Sequence, residues 1–400
     1  VAHKTYDYII AGGGLAAASA VRGIREQDTS GSVLLIGAEN RLPYHRPPLT
    51  KSLWFGKKTV EQIVVEDRSF YQQHAARTLL GTTVTSLDAG EKTVTVHTGE
   101  TFRFGKLLLA TGGAPRKLPI PGGDDPGICY YRYLNDYLWM RERVKAGRKV
   151  LVIGGGFIGS EIAAGLIANE AAVTMVFPER YVCGRVFPES LGTAITERYR
   201  RRGARVVTGD VAARIERRDG AFVTTTREGE RIESELVIAG LGIYPEADLA
   251  HGAGLATDPD ITVDRFLRTS HPDIYAAGDN ASFPYESLGR TRIEHWDNAL
   301  SQGAHAGRTM AGAEEPFTYL PYFFSDLFDF GYEAVGDTDS SHETVADWQE
   351  ENEKGIIYYL KDRRVCGVMM CNVWEKVDEA RELIRQGKEM SEPQLHEAIH

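Results

Sequence analysis

Tyr8-Ile9-Ile10-Ala11-Gly12-Gly13-Gly14-Leu15-Ala16-Ala17-Ala18 runs from an apolar stretch through three glycines into an alanine-rich one. The apolar run is short and unbroken, as in a parallel strand buried on both faces. The alanines predict a helix, because alanine loses least on helix formation. A further apolar run, Val33-Leu34-Leu35-Ile36, comes next. The same order returns at Val150-Leu151-Val152-Ile153-Gly154-Gly155-Gly156-Phe157-Ile158-Gly159-Ser160-Glu161, with Val173-Thr174-Met175-Val176-Phe177 beyond it. Strand, glycine turn, helix and strand therefore occur twice. That predicts an α/β chain with two dinucleotide-binding units.

Each glycine cluster has a physical reading. Gly12, Gly14 and Ala17 fit G-x-G-x-x-G/A, and Gly154, Gly156 and Gly159 fit the all-glycine form. The first glycine permits a tight turn, the second lets backbone approach a pyrophosphate, and the small third residue lets helix and strand pack closely. Phosphate then rests on the helix N-terminus, where unpaired N–H groups and the dipole favour an anion. Glu39 lies just past the second strand of the first unit, placed to bind ribose hydroxyls. Glu179 holds the same place in the second unit. A carboxylate there accepts a free 2′-hydroxyl and repels a 2′-phosphate, which favours NADH over NADPH. The adjacent Arg180 would blunt that preference, and Glu179 can also be read as a plain surface-turn residue.

The rest of the chain is read more coarsely. Its 400 residues leave room for two or three domains. A formal charge of −10 disfavours nucleic acid as a partner. No apolar run approaches the ~20 residues of a membrane-spanning helix. The four cysteines form no C-x-x-C and no metal-ligand spacing, so no metal is expected. A reduced cytoplasmic compartment is expected, or an organelle matrix if a targeting segment has been removed. Residues 82–101 and 205–235 read as short antiparallel strands. Residues 337–354 are acidic and without clean periodicity, which predicts an irregular or mobile insertion. Residues 355–373 alternate like strands around Asp362-Arg363, and residues 376–385 predict an amphipathic helix.

Two further segments complete a pattern. Ala110-Thr111-Gly112-Gly113 closes an apolar run, and Thr269-Ser270-His271-Pro272-Asp273-Ile274-Tyr275-Ala276-Ala277-Gly278-Asp279 ends another on a carboxylate. The four motifs in this order resemble the two-dinucleotide flavoprotein oxidoreductases related to glutathione reductase. The resemblance implies two Rossmann-like dinucleotide-binding domains plus a C-terminal α+β domain. FAD would bind a discontinuous domain, 1–122 and 247–316, and NAD(H) an inserted domain, 123–246. Residues 317–400 would form the third domain.

The segment after the first unit sets the branch. No cysteine precedes Cys129, so neither a dithiol relay nor a cysteine sulfenate is expected. Leu42-Pro43-Tyr44-His45-Arg46-Pro47-Pro48-Leu49-Thr50-Lys51-Ser52-Leu53-Trp54-Phe55 stands there instead. It resembles the branch holding apoptosis-inducing factor and the bacterial ferredoxin reductases of oxygenase systems. Phe324-Ser325-Asp326-Leu327 and Gly331-Tyr332-Glu333-Ala334-Val335-Gly336 are similar to the former. Arg292-Ile293-Glu294-His295-Trp296-Asp297 carries features of both.

The resemblance also implies roles. Lys51 would lie beside the flavin and pair with Glu161, the cation stabilising the reduced ring and the carboxylate orienting the cation. Arg46, Arg116, Val84, Thr111, Gly112 and Asp279 would bind FAD with the first motif. Phe157, Ile158 and Gly242 would join the second motif at NADH, with NADPH possible. Glu294, His295 and Trp296 would line the flavin's pyrimidine end. His295 can equally be a structural histidine, and Trp296 either core or a group on the electron exit path. Phe323, Phe324, Phe328 and Phe330 read as core between the third domain and the flavin domain, or as an aromatic lid. The arginine runs 198–202 and 214–218 read as solvated faces rather than docking patches. Cys366 and Cys371 read as structural residues.

The implied chemistry is hydride transfer from NADH to FAD, then electron transfer to a ferredoxin-type protein or a quinone. The variants are an apoptosis-inducing-factor-like sensor that forms a lasting charge-transfer complex, a ferredoxin or rubredoxin reductase, and a diaphorase-type reductase. A monomer or a redox-dependent homodimer is expected.

Overall fold

The computed structural model describes residues 3–399. Contacts divide the chain into two compact units. One comprises residues 1–45, 60–114 and 245–322, the other 46–59, 115–244 and 323–400.

The first unit is built on a seven-stranded sheet. Its centre is the strand Lys4–Ala11, parallel to Val33–Gly37 on one side and Thr101–Leu109 on the other. Ile9 sits opposite Leu34 and Leu107, and all three are fully buried. Side chains of this kind each contribute about 2 kcal/mol on leaving water. Ile274–Ala276 adds in parallel beside Leu107–Leu109, which carries Asp279 to the same end of the sheet as the glycine turn. The hairpin Val84–Asp88 and Thr93–Val96 is antiparallel, as the alternation of the sequence predicts. The helices Leu15–Gln27 and Trp296–Met310 pack face to face. A Cβ on Gly303 would strike the Ala16 carbonyl, so bare backbone permits the close approach. That packing brings the start of the second helix beside the first glycine turn.

The second unit holds a five-stranded parallel sheet in the order Arg205–Thr208, Ala172–Phe177, Lys149–Ile153, Leu236–Ala239, Ile128–Tyr130. A three-stranded antiparallel sheet, Ala212–Arg218, Ala221–Thr226 and Arg231–Ser234, accompanies it. A second five-stranded sheet lies near the C-terminus, followed by the helix Val377–Gln386.

Here the sequence expectation for residues 337–354 is corrected. Glu343–Glu350 is a regular strand, antiparallel to Lys354–Lys361. It is an edge strand with both faces partly open, so it lacks the buried stripe that gives a strand its period. Acidic side chains on such an edge also discourage pairing with another chain. The turn at Asp362-Arg363 is as expected, with both residues at positive φ (51° and 61°).

One member of the first arginine run needs a correction too, while Arg200, Arg214, Arg217 and Arg218 are exposed as expected. Arg198 is buried, not solvated, and pairs with Asp329 and Glu353. Arg202 also reaches Asp329, Arg217 pairs with Asp125, and Arg214 and Arg218 share Glu216. The aromatic run packs inside this unit: Phe330 on Phe187, Phe328 on Tyr199, Phe323 on Phe157.

Candidate active site

Both glycine turns form bare cradles. In the first unit, a Cβ on Gly12 (φ 146°) would collide with the Ala110 carbonyl, while one on Gly14 would meet nothing within 4 Å. Gly14 caps the helix Leu15–Gln27 without a side-chain bond, so the helix N–H groups face outward. The second unit repeats this. Gly154 (φ 116°) abuts the Gly240 carbonyl, Gly156 meets nothing within 4 Å, and it caps Phe157–Ala168. Both cradles fit a dinucleotide pyrophosphate. Ala17 is fully buried, and a Cβ on Gly159 would strike the Gly154 carbonyl, so both third positions serve close packing.

The acids that come after the cradles are held differently. Glu39 accepts the Tyr44 hydroxyl on both oxygens, at 2.8 and 3.1 Å. The Glu179 carboxylate faces the exposed Arg185, with Nε 3.6 Å from Oε1. Arg180, the expected neighbour, turns instead to Glu189 at 3.2 Å.

The second unit also builds a buried ionic cluster. Residues 46–59 lie early in the chain yet belong to this unit. Trp54 anchors them: it is buried, its Nε1 donates to the Tyr131 hydroxyl at 3.1 Å, and its carbonyl accepts from Asn169. Lys51 Nζ thereby reaches Glu161 Oε1 at 2.7 Å, with side chains only 12% and 5% exposed. Glu161 stands early in the helix that begins the second cradle. Its carboxylate accepts two more bonds, from Thr50 Oγ1 at 2.5 Å and Ser325 Oγ at 2.6 Å. A buried charge pair repays its desolvation only with further hydrogen bonds to its lone pairs, and Thr50 and Ser325 supply two of them here. The Phe324 ring lies 5.1 Å from Lys51 Nζ. Asp326 is next in line, and burial raises its carboxyl pKa, Lys51 pulling the other way.

Residues 6–303 match the pyridine nucleotide-disulphide oxidoreductase family, and residues 346–386 match the C-terminal region of mitochondrion-associated apoptosis-inducing factor. The chain belongs to the pyridine nucleotide-disulphide oxidoreductase family. It is 35% identical to "Apoptosis-inducing factor 1, mitochondrial" of Dictyostelium discoideum, over 99% of this chain and 81% of that protein. It is 33% identical to "Monodehydroascorbate reductase 2" of Arabidopsis thaliana, over 92% of this chain and 90% of that one. Among solved structures, a chain of the covalent putidaredoxin reductase–putidaredoxin complex superposes with a TM-score of 0.91 at 29% identity, covering 99% and 96% of the two chains. The chain is therefore an oxidoreductase, and its family uses a flavin and a pyridine nucleotide.

The other expected residues of this family member have well-defined surroundings. In the first unit, Thr111 Oγ1 donates to the Glu246 carbonyl at 2.5 Å and accepts from Asn280. Gly112 has φ 71° and accepts the Glu246 N–H. The Asp279 carbonyl accepts from Arg292, which also pairs with Asp260 and Glu294 at 2.7 and 2.6 Å. Glu294 is thus bound to a neighbouring arginine. Val84 lies on a strand, half-buried opposite Val96. His295 caps the helix Trp296–Met310, with its Nδ1 shielded from water. Burial pushes its pKa down to about 4, so the ring is neutral at pH 7. Trp296 Nε1 donates to His45 Nδ1 at 2.9 Å, which leaves the His45 proton on Nε2.

In the second unit, Arg46 donates to the Arg132 carbonyl at 2.8 Å and covers the Tyr133 ring. Arg116 donates to the Ile243 carbonyl and stacks 4.0 Å over the exposed Tyr244. Gly242 (φ 80°) accepts the Arg116 N–H. Phe157 and the exposed Ile158 open the helix of the second cradle.

All four cysteines are free thiols. Burial raises each of their pKa values, Cys183 to about 12 and Cys366 to about 11, which leaves little nucleophilic thiolate. Among the described residues no helix is long and apolar enough to cross a membrane. Sequence reasoning missed Tyr44, Thr50, Arg185 and Ser325 as contributors. Thr50 and Ser325 each adjoin a residue already singled out, but nothing local pointed them at Glu161.

Proposed function

We propose that this chain is an FAD-dependent NADH oxidoreductase of the apoptosis-inducing-factor-like kind. The observation that carries the reading is Glu161. It sits early in the helix that receives one nucleotide, and it holds a buried lysine there. FAD is assigned to the first unit, at Gly12, Gly14, Ala17, Glu39, Val84, Thr111, Gly112, Asp279, Glu294 and His295. The family resemblance assigns Arg46, Lys51 and Arg116 to FAD as well. NADH is assigned to Gly154, Gly156, Phe157, Ile158, Gly159, Glu179 and Gly242. The functional division into 1–122 with 247–316, 123–246 and 317–400 is part of the same reading.

Bound FAD would supply the chemistry, accepting a hydride from nicotinamide and releasing electrons to an acceptor. The protein's share is to orient and to stabilise. The two cradles hold pyrophosphates, Glu179 favours the free ribose, and Lys51 offers a positive charge fixed in place by Glu161, itself held by three bonds. Neutral His295 and the helix N-terminus it caps offer donors and a positive dipole end to charge on the pyrimidine ring.

A second reading, a reductase of a ferredoxin-type protein, is favoured by Trp296, which is held at a helix start by His45. The arginine runs offer little support for acidic-partner docking, since Arg198, Arg200, Arg202 and Arg217 each pair with neighbouring carboxylates.

Anaerobic stopped-flow mixing with NADH, then with NADPH, tests both readings. Slow bleaching with long-lived long-wavelength absorbance and a reduction-dependent increase in mass supports the first. Rapid reoxidation by an added ferredoxin-type protein supports the second. A quinone and monodehydroascorbate belong in the same acceptor panel. A protein that takes up no FAD on reconstitution overturns both.

A further inference from the structure

The loop Asp337-Thr338-Asp339-Ser340-Ser341-His342 joins the strands Phe330–Gly336 and Glu343–Glu350 in the second unit. It crosses back over Cys366 on the strand Arg364–Cys371. His342 Nε2 lies 2.8 Å from Asp337 Oδ2. With Cys366 Sγ, the ligand-capable atoms of all three half-buried residues lie within 4.8 Å of one another.

Backbone packing makes this meeting obligatory. The Asp337 N–H donates to the Cys366 carbonyl at 2.8 Å. A Cβ on Gly367 would collide with the Asp337 carbonyl. The loop is closed on itself by Asp339 N–H to Asp337 Oδ1 at 3.2 Å, Ser341 N–H to Asp339 Oδ1 at 2.8 Å and His342 N–H to the Asp339 carbonyl at 3.1 Å. Ser340 ties it down through its N–H to the Arg185 carbonyl and its Oγ to the Gly184 carbonyl. The three side chains thus stand on a frame that needs no folding to hold them.

A thiol, an imidazole and a carboxylate from three positions form a donor set for a borderline-soft cation. Hard cations such as Mg²⁺ and Ca²⁺ take oxygen ligands instead. We propose that Asp337, His342 and Cys366 bind one Zn²⁺-class ion, with water in the fourth position. Zinc bonds of about 2.0–2.3 Å require Cys366 Sγ to close in by up to roughly 1 Å while the Asp337 and His342 atoms, 2.8 Å apart, part slightly. On binding, the Cys366 thiol gives its proton to buffer as the Sγ–metal bond forms, and the His342 proton passes by way of solvent from Nε2 to Nδ1 as the His342–Asp337 hydrogen bond gives way to two metal bonds. No electrons change hands. The competing reading is an Asp–His pair beside a half-buried thiol that takes no ion.

The test is calorimetric titration of the flavin-loaded protein with Zn²⁺ alone, in buffers of different ionisation enthalpy, beside maleimide labelling. Cys366 is half-buried and the other three cysteines are buried, so labelling reports on it selectively. One ion per chain is expected, with a thiol proton released and Cys366 protected until EDTA is added. His342→Ala and Cys366→Ala are each expected to weaken binding at least about tenfold. Flavin content and reduction by NADH serve as folding controls, and His342→Gln replaces either variant that fails them. No binding, binding unchanged in the variants (zinc on surface histidines), or labelling unaffected by zinc would each overturn the site.

Discussion

The two glycine cradles share one backbone design and differ in the acids that stand behind them. Behind the first, Glu39 is clamped on both oxygens by Tyr44. Behind the second, Glu179 faces an arginine that is 88% exposed. A doubly bonded carboxylate presents one fixed acceptor geometry, whereas an exposed ion pair contributes about 0–1 kcal/mol and rearranges freely. In the proposed assignment the first cradle retains its nucleotide and the second exchanges it, so similar sequence motifs would describe a resident site and a visiting site.

The bluntest test of this contrast is the same lesion in both turns. Gly12→Val is expected to abolish FAD retention outright, because the new side chain meets the Ala110 carbonyl at a φ valine cannot adopt without strain. Gly154→Val should leave a yellow protein that NADH no longer reduces at a measurable rate. Absorbance after gel filtration and stopped-flow bleaching separate the two outcomes. Equal flavin loss in both variants would show that the sites are not distinct.

Glu161→Gln comes next. It takes away the carboxylate paired with Lys51 and leaves only the neighbouring Asp326, a loss of up to about 3–5 kcal/mol. Flavin reduction by NADH should slow by about a hundredfold or more, with FAD still bound. Ser325→Ala removes one of the three bonds to Glu161, worth about 1.5–3 kcal/mol for a charged acceptor. It should slow reduction about tenfold and shift the flavin potential, a change that packing loss alone would not produce.

His295 gives the first unit a pH signature. Its pKa falls from 6.5 to about 4 in the folded chain, so its neutral form is the folded form. The stability it contributes is fully present above pH 6.5 and is lost as pH falls towards 4. The slope is at most about 1.4 kcal/mol per pH unit. Urea titrations between pH 7 and 4.5 should show this slope flattened in His295→Gln.

Subtler variants probe the acids themselves. Tyr44→Phe should weaken FAD about tenfold and leave the KM for NADH unchanged. Glu179→Ala should raise the KM for NADH several-fold and improve use of NADPH, since Arg185 is then released to meet a 2′-phosphate. Arg185→Ala should change NADH kinetics least of all.

The correction at residues 337–354 shows where sequence reading stops. Glu343–Glu350 is regular strand, but on a sheet edge its side chains alternate between two half-wet faces. Hydrophobic period reports burial, not backbone conformation, so such a strand is invisible to it. Arg198 misleads for the opposite reason. Its run of arginines reads as surface, yet Asp329 and Glu353 pair with its buried side chain.

Local sequence announces the two cradles, since strand, glycine turn and helix are written in about a dozen consecutive residues, although the carbonyls that demand glycine at Gly12 and Gly154 belong to Ala110 and Gly240 at the ends of distant strands. The absence of an early cysteine pair is equally plain from the sequence. The ionic cluster is a product of tertiary packing, since Lys51 and Ser325 reach Glu161 across separations of 110 and 164 residues. Packing also decides that Arg185 rather than Arg180 attends Glu179, and that Asp337, His342 and Cys366 meet. Pairings of this kind depend on which segments dock, and docking is set by the burial of residues such as Trp54 that lie outside the sites they assemble.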